Sequence, residues 1–311
     1  MNILVATDDS PYSQSAIDSV LLMDCGSGSE IKVVTAVDLF ELPLVLQQAK
    51  VTQEAHKHIS AVVTRLRSAL PQTKISSAVL EGHVNEMILQ AAQDFKADLI
   101  VMGSHGRKGL SRFLLGSVSR AVLERAPCAV RIVRQTAADT IAINNHVLIA
   151  LDQSKHSQQA LEHVLNSKWP DGTRFKCITV VSEQSKHMYL DPAHVTGLSM
   201  HHDELVANAG IVLSQQVARL NRTFGSGTAS FEVLEGEVRL CILEAAEKWQ
   251  AGLIVMGSRG RKMMAGLFLG TVSEAVASHA RCSVEITRVQ TNEEFIQNQT
   301  AYDESLSSFK T

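Results

Sequence analysis

Short apolar runs rich in Val and Ile alternate along this chain with longer stretches in which apolar residues recur at helical spacing. In the first half the apolar runs lie near Asn2 to Thr7, Ile31 to Val37, Lys74 to Leu80, Leu99 to Met102 and Ala129 to Val133. Continuous runs of this length suit strands covered on both faces. Helical spacing predicts helices over Ser13 to Met23, Gln48 to Ala69, Val84 to Phe95 and Gly116 to Arg125. Strands alternating with helices predict an α/β fold with a parallel, doubly wound sheet and right-handed crossovers.

The pattern then repeats. ADLIVMGSHGRKGLSRFLLGSVSRAVL from Ala97 recurs as AGLIVMGSRGRKMMAGLFLGTVSEAVA from Ala251, an offset of 251 minus 97, or 154. ILVATDDS from Ile3 matches VLIALDQS from Val147 at an offset of only 144, so about ten residues are inserted in the second copy. IKVVTAVD from Ile31 still matches FKCITVVS from Phe175 at 144, whereas VTRLRSAL from Val63 matches VARLNRTF from Val217 at 154. The insertion is therefore assigned to the polar segment near Glu183 to Met200. A period this long means duplicated domains rather than stacked repeats. We divide the chain into domains at 1–136 and 144–290, joined by the small and polar RQTAADTIAINNH segment from Arg134 to His146. Residues 291–311 read as a polar tail, mobile or strapped over the surface.

Composition narrows the partners. A hydrophobic fraction of 45% with 20% charged residues is that of a packed soluble protein, and 311 residues suffice for two cores. A net charge of -3 supplies no general attraction for a polynucleotide, and the 5% of aromatic residues form no basic, base-stacking platform. Five cysteines without a C-x-x-C pair fit neither a disulfide framework nor a zinc site. MNILVATDDS lacks the features of a signal peptide, and no apolar run reaches the ~18 residues of a membrane span. Cytoplasmic residence, with neither membrane nor polynucleotide as partner, is the expectation.

The chemistry-bearing motif follows the fourth apolar run of each copy. Gly103, Gly106, Gly116 and Ser117 in the first, and Gly257, Gly260, Gly270 and Thr271 in the second, share the spacing G-x2-G-x9-G-[ST]. Glycines let backbone amides approach an anion, and a helix N-terminus presents unpaired N–H groups and a positive dipole end. The pattern is neither a Walker A loop nor the G-x-G-x-x-G of dinucleotide folds. Such glycines can also serve a strand-to-helix turn alone.

Taken with the opening A-x-D-x-S and the G-x-V-x-x-x-I segments at Gly82 and Gly236, these motifs resemble the universal stress protein family, in its ATP-binding branch. The resemblance implies two tandem Rossmann-like domains of the adenine nucleotide alpha hydrolase-like type. Each would be a five-stranded parallel sheet of order 3-2-1-4-5 flanked by helices. It also implies ATP as ligand, with Mg²⁺. Asp8 would lie near ribose and adenine, Ala6 and Val37 would line the base, and Met102 would lie beneath it. Gly103, Gly106, Gly116, Ser117 and Val118 would wrap the phosphates. The second set is Ala150, Asp152, Val181, Met256, Gly257, Gly260, Gly270, Thr271 and Val272. Where the family often has Gly after the Asp, Asp9 and Gln153 stand here. Asp9 adds negative charge, so the second site is expected to hold nucleotide better unless Mg²⁺ offsets it. Single-domain members pair through the last strand, so RIV at Arg131 and EIT at Glu285 are the edges expected to join the copies as an internal pseudo-twofold pair. Whether the whole chain also forms a homodimer is open.

Other side chains have plainer readings. Asp8 and Asp152 could cap the first helix, and His105, matched by Arg259, reads as a solvent-facing or phosphate-neighbouring residue rather than a base. Arg107 and Lys108, repeated as Arg261 and Lys262, are surface charges or phosphate contacts. Cys128 and Cys282 read as small buried thiols before the last strand, and His201, His202 and Asp203 as a solvated cluster. Nothing that recurs in both copies supports dedicated catalysis. The functional expectation is a nucleotide-binding stress-response protein. Slow ATP hydrolysis and a nucleotide-free scaffold are the alternatives.

Overall fold

The computed structural model describes residues 1–23, 28–39, 45–106, 115–134, 145–182, 195–260 and 269–289, with the side chains of 45, 46 and 195–201 left aside. In the first half, β1 (Asn2–Ala6), α1 (Pro11–Leu21), β2 (Glu30–Val37), α2 (Val45–Ala69), β3 (Lys74–Glu81), α3 (Val84–Asp94), β4 (Leu99–Gly103), α4 (Ser117–Arg125) and β5 (Ala129–Val133) follow in order. The second half repeats them as β6 (His146–Ala150), α5 (Lys155–Asn166), β7 (Arg174–Val181), α6 (Val195–Phe224), β8 (Ala229–Glu235), α7 (Val238–Lys248), β9 (Leu253–Gly257), α8 (Thr271–His279) and β10 (Ser283–Thr287). The helix α6 covers part of the segment assigned to the insertion, and 183–194 lie outside the described residues.

Each half is a parallel sheet of the expected order, and the halves join edge to edge as β3-β2-β1-β4-β5-β10-β9-β6-β7-β8. The join is the antiparallel pairing of β5 with β10, with Arg131 opposite Glu285. The central strands read as unbroken apolar runs because both faces are covered: β4, β5 and β9 are buried at every position. The outer strands β3 and β8 mix exposed polar residues into their pattern, as free edges do.

Packing is unequal on the two faces. On the face carrying α3, α4, α7 and α8, one apolar layer runs through both halves, from Leu4 and Ile100 through Val130 and Ile132 to Val284 and Ile254. On the other face the halves keep separate clusters, around Ile17, Val63 and Leu66 and around Leu161, Phe175 and Leu220. The helices start where the sequence supplies acceptors. Ser10 and Ser154 accept from the amides of Ser13 and Ser157 at the N-termini of α1 and α5, and Pro11 stands in the first turn of α1, where no N–H is needed. Among the described residues no helix is long and apolar enough to cross a membrane.

Candidate functional site

In each half the strand order reverses between the first and fourth strands, where open α/β sheets leave a crevice at their carboxyl ends. Asp8 follows β1 and the Gly103–Gly106 turn follows β4, on neighbouring strands paired at Ala6 and Met102. Asp152 and the Gly257–Gly260 turn stand likewise after β6 and β9, paired at Ala150 and Met256. Ala6, Met102, Val37, Met256 and Val181 are buried, and Ala150 half-buried, so the strand ends form an apolar floor.

The aspartates do not cap the helices; serines do. Asp8 Oδ1 accepts instead from the Ser10 amide at 3.2 Å, and Asp152 Oδ1 from Ser154 at 3.0 Å. Each carboxylate thus closes the turn between strand and helix. The residue inside that turn is left-handed, with φ of 64° at both Asp9 and Gln153. This conformation favours glycine, the residue the resemblance leads one to expect here.

Two glycines of each loop have steric roles. A Cβ on Gly103 would lie 2.6 Å from the Tyr12 carbonyl carbon, and one on Gly257 the same distance from that of His156. The first turns of α1 and α5 therefore rest directly on the strand ends. A Cβ on Gly106 would lie 2.6 Å from Asp8 Oδ2, and one on Gly260 2.8 Å from Asp152 Oδ2, so the turn folds down onto the carboxylate. At the third glycine the amide is engaged: Gly116 donates to Ser104 O at 2.9 Å and Gly270 to Ser258 O at 2.8 Å. These two amides, expected among the anion contacts, are bonded within the chain.

The next amides differ. Gly116 and Gly270 are the N-cap residues of α4 and α8 and offer no side chain to the first turn, unlike Ser10 and Ser154. The amides of Ser117 and Val118, and of Thr271 and Val272, have no intrahelical acceptor because of their position in the first turn. Ser119 and Ser273, in the same turn, direct their hydroxyls to Gly103 O and Gly257 O, each at 2.9 Å. Ser117 and Thr271 are exposed. What the structure brings together in each half is therefore an apolar floor, a carboxylate and an uncapped helix N-terminus. Arg107, Lys108, Arg261 and Lys262 lie outside the described residues.

Several neighbours differ from their sequence reading. His105 is buried rather than solvent-facing, with Nδ1 3.1 Å from Ser104 Oγ and its ring 5.0 Å from that of Tyr12. Burial, and then the Arg134 charge, hold its pKa below the usual histidine value. In the second half the imidazole moves to His156, whose Nδ1 lies 3.1 Å from Ser258 Oγ. His58, absent from the sequence reading, lies in α2 with Nδ1 3.2 Å from Asp9 Oδ1 and Nε2 2.8 Å from Thr7 Oγ1. His202 is buried against Glu235 at 2.7 Å rather than solvated. Burial pushes the Cys128 thiol up to about 12 and that of Cys282 to about 11, as small core residues rather than reactive thiols. Arg134 reaches across to donate to Ala277 O and Ser278 O, both at 2.7 Å, where α8 ends. Arg288 does the same to Leu123 O and Glu124 O at the end of α4.

A universal stress protein of Mycobacterium bovis is 29% identical over 196 residues, 62% of this chain and 62% of that protein. The match thus spans less than two thirds of the relative's length. One from Mycolicibacterium smegmatis is 27% identical over 239 residues, 76% of this chain and 75% of its own. Among solved structures, a universal stress protein from Archaeoglobus fulgidus shares the fold at 21% identity and a TM-score of 0.67, over 93% of this chain and 98% of the other. The Universal stress protein family profile matches residues 1–134 and again 144–288. With the two halves built on one topology, the chain belongs to the universal stress protein family and carries two of its domains in tandem.

Proposed function

We propose that this protein binds an adenine nucleotide, ATP with Mg²⁺, at each of its two crevices and acts as a cytoplasmic stress-response protein. Binding would be read out through nucleotide-dependent conformation or partner contact. The observation that carries the reading is the pair of uncapped N-termini of α4 and α8, each facing a switch point beside a closed Asp–Gly turn. The phosphates would take the amides of Ser117 and Val118 and the Ser117 hydroxyl, or those of Thr271 and Val272 and the Thr271 hydroxyl. The base would lie on Ala6, Val37 and Met102, or on Ala150, Val181 and Met256. Mg²⁺ keeps several waters and needs only one or two carboxylates besides phosphate oxygens, and Asp8 and Asp152 are the carboxylates at hand. Gly103, Gly106, Gly257 and Gly260 act by shaping the turn. The imidazoles of His105 and His156 are each engaged by a neighbouring serine hydroxyl at 3.1 Å, and we read both sites as binding sites. Nucleotide carried through purification, followed by equilibrium titration with ATP and Mg²⁺, tests this. No binding at millimolar ATP would overturn it.

A further inference from the structure

The join between the two domains carries an asymmetry that the fold does not require. With an offset of 154 between copies, Arg131 and Glu285 occupy equivalent positions, and the β5–β10 register sets them directly opposite one another. The pseudo-twofold axis therefore passes between them. On such an axis each residue meets its own counterpart, so two like domains would meet here as identical residues. In this chain they are opposite charges: Arg131 Nε lies 2.6 Å from Glu285 Oε2, with Glu285 0% exposed.

A second pair repeats the arrangement. Arg120 on α4 and Glu274 on α8 are also equivalent across the offset of 154, and they meet at 2.8 Å. Basic residues stand in the first domain in both cases and acidic ones in the second. Two further sets of contacts across the join run alike in both directions: Arg134 grips the end of α8 as Arg288 grips the end of α4, and the apolar layer runs through. Those symmetric contacts hold any two such domains together and cannot tell one from the other. His163 adds to the asymmetry, with Nε2 2.6 Å from Glu285 Oε1, where the first copy has Ser19.

We infer that Arg120, Glu274, Arg131 and Glu285 choose the partner of each last strand, so that a first domain accepts a second domain and rejects its own kind from another copy of this chain. Pairing β5 with β5 would bury Arg131 against Arg131, and pairing β10 with β10 would bury Glu285 against Glu285. Unpaired buried charge and like-charge contact are costs that complementary packing cannot recover. The ordinary partner of each domain is thus the other type, supplied at high effective concentration by the same chain. This does not depend on nucleotide binding.

The test uses full-length chains. An all-acidic axis is made by Arg120→Glu with Arg131→Glu, an all-basic axis by Glu274→Arg with Glu285→Arg, and a reversed axis by all four substitutions together. Every chain carrying Glu285→Arg also carries His163→Ser, the residue of the first copy, because His163 lies 2.6 Å from Glu285. The first two should lose roughly 5–10 °C in melting temperature, and the full reversal should recover most of that loss. Mixed or coexpressed, the all-acidic and all-basic chains should form a 1:1 species of twice the chain mass by sedimentation, which neither forms alone. If the buried reversals prevent folding, the exposed pair alone, Arg120→Glu, Glu274→Arg and their double, should show the same loss and recovery on a smaller scale. The inference is overturned if like-charged axes melt as the parent does. It is also overturned if the reversed axis is no better than the like-charged ones, or if the mixed chains fail to associate.

Discussion

Replacing Glu285 by Gln keeps the size and shape of the side chain and removes a buried charge from between Arg131 and His163. Burial alone would raise the Glu285 pKa. Arg131 and then His163 more than offset this and hold it at about 2, against an ordinary 4.5. A drop of about 2.5 on the pH scale corresponds to roughly 3 kcal/mol of stabilisation at neutral pH. The sign follows from the depressed value: the contribution is fully present above about pH 4.5 and fades as pH falls toward 2. His163 behaves in the opposite sense. Burial would lower its pKa, Glu285 raises it further than that, and its share is present below pH 6.5 and fades as pH rises through the raised value. Urea unfolding of Glu285→Gln should therefore show a loss of about 3 kcal/mol at pH 6, shrinking well below half of that near pH 2.5. The His163 imidazole, followed by NMR, should titrate lower in the variant. A loss under about 1 kcal/mol at pH 6, or one unchanged at pH 2.5, would refute the reasoning.

Other outcomes follow from the same geometry. Gly103→Ala and Gly257→Ala must lift α1 or α5 off the strand end, and each should cost about 1–3 kcal/mol in thermal or urea unfolding. Gln153→Gly relieves a left-handed glutamine but frees the unfolded chain, so stability should rise by no more than about 1 kcal/mol. A fall of that size would contradict the conformational argument. Cys128, Cys177 and Cys282 should resist a thiol reagent in the native protein at pH 7.5 and react on unfolding, as mass spectrometry of the labelled peptides can show.

The sheet was legible in the sequence because buried parallel strands leave uninterrupted apolar runs, and LIVM before each Gly103-type turn marks a strand that is flanked on both sides and buried at every position. The pairing of β5 with β10 was legible for a related reason, since RIV and EIT would otherwise leave buried-type strands at an edge. What side chains do at the crevice was less so. The spacing of the glycines suits an anion, yet Gly103 and Gly257 answer to the backbones of Tyr12 and His156, more than 90 residues away in sequence. No local pattern announces such an approach. Asp8 looked like a helix cap because Ser10 competes for the same role two residues later. His105 looked exposed because its burial depends on Tyr12, from another element. The selection of Arg131 against Glu285 was present in the repeat itself, visible once the offset of 154 is laid over the strand register.

The central claim is that each helix N-terminus holds one nucleotide through its first-turn amides. Proline at the first helical position lacks an N–H without breaking the helix, and the extended conformations of Gly116 and Gly270 accept a following proline. Calorimetric titration of the parent with ATP and Mg²⁺ should give two sites per chain. Ser117→Pro and Thr271→Pro, each losing a charge-assisted amide contact and a hydroxyl, should weaken their own site about 10- to 100-fold, and together should weaken both. Two undiminished sites in the double variant, or no site in a well-folded parent, would contradict the account.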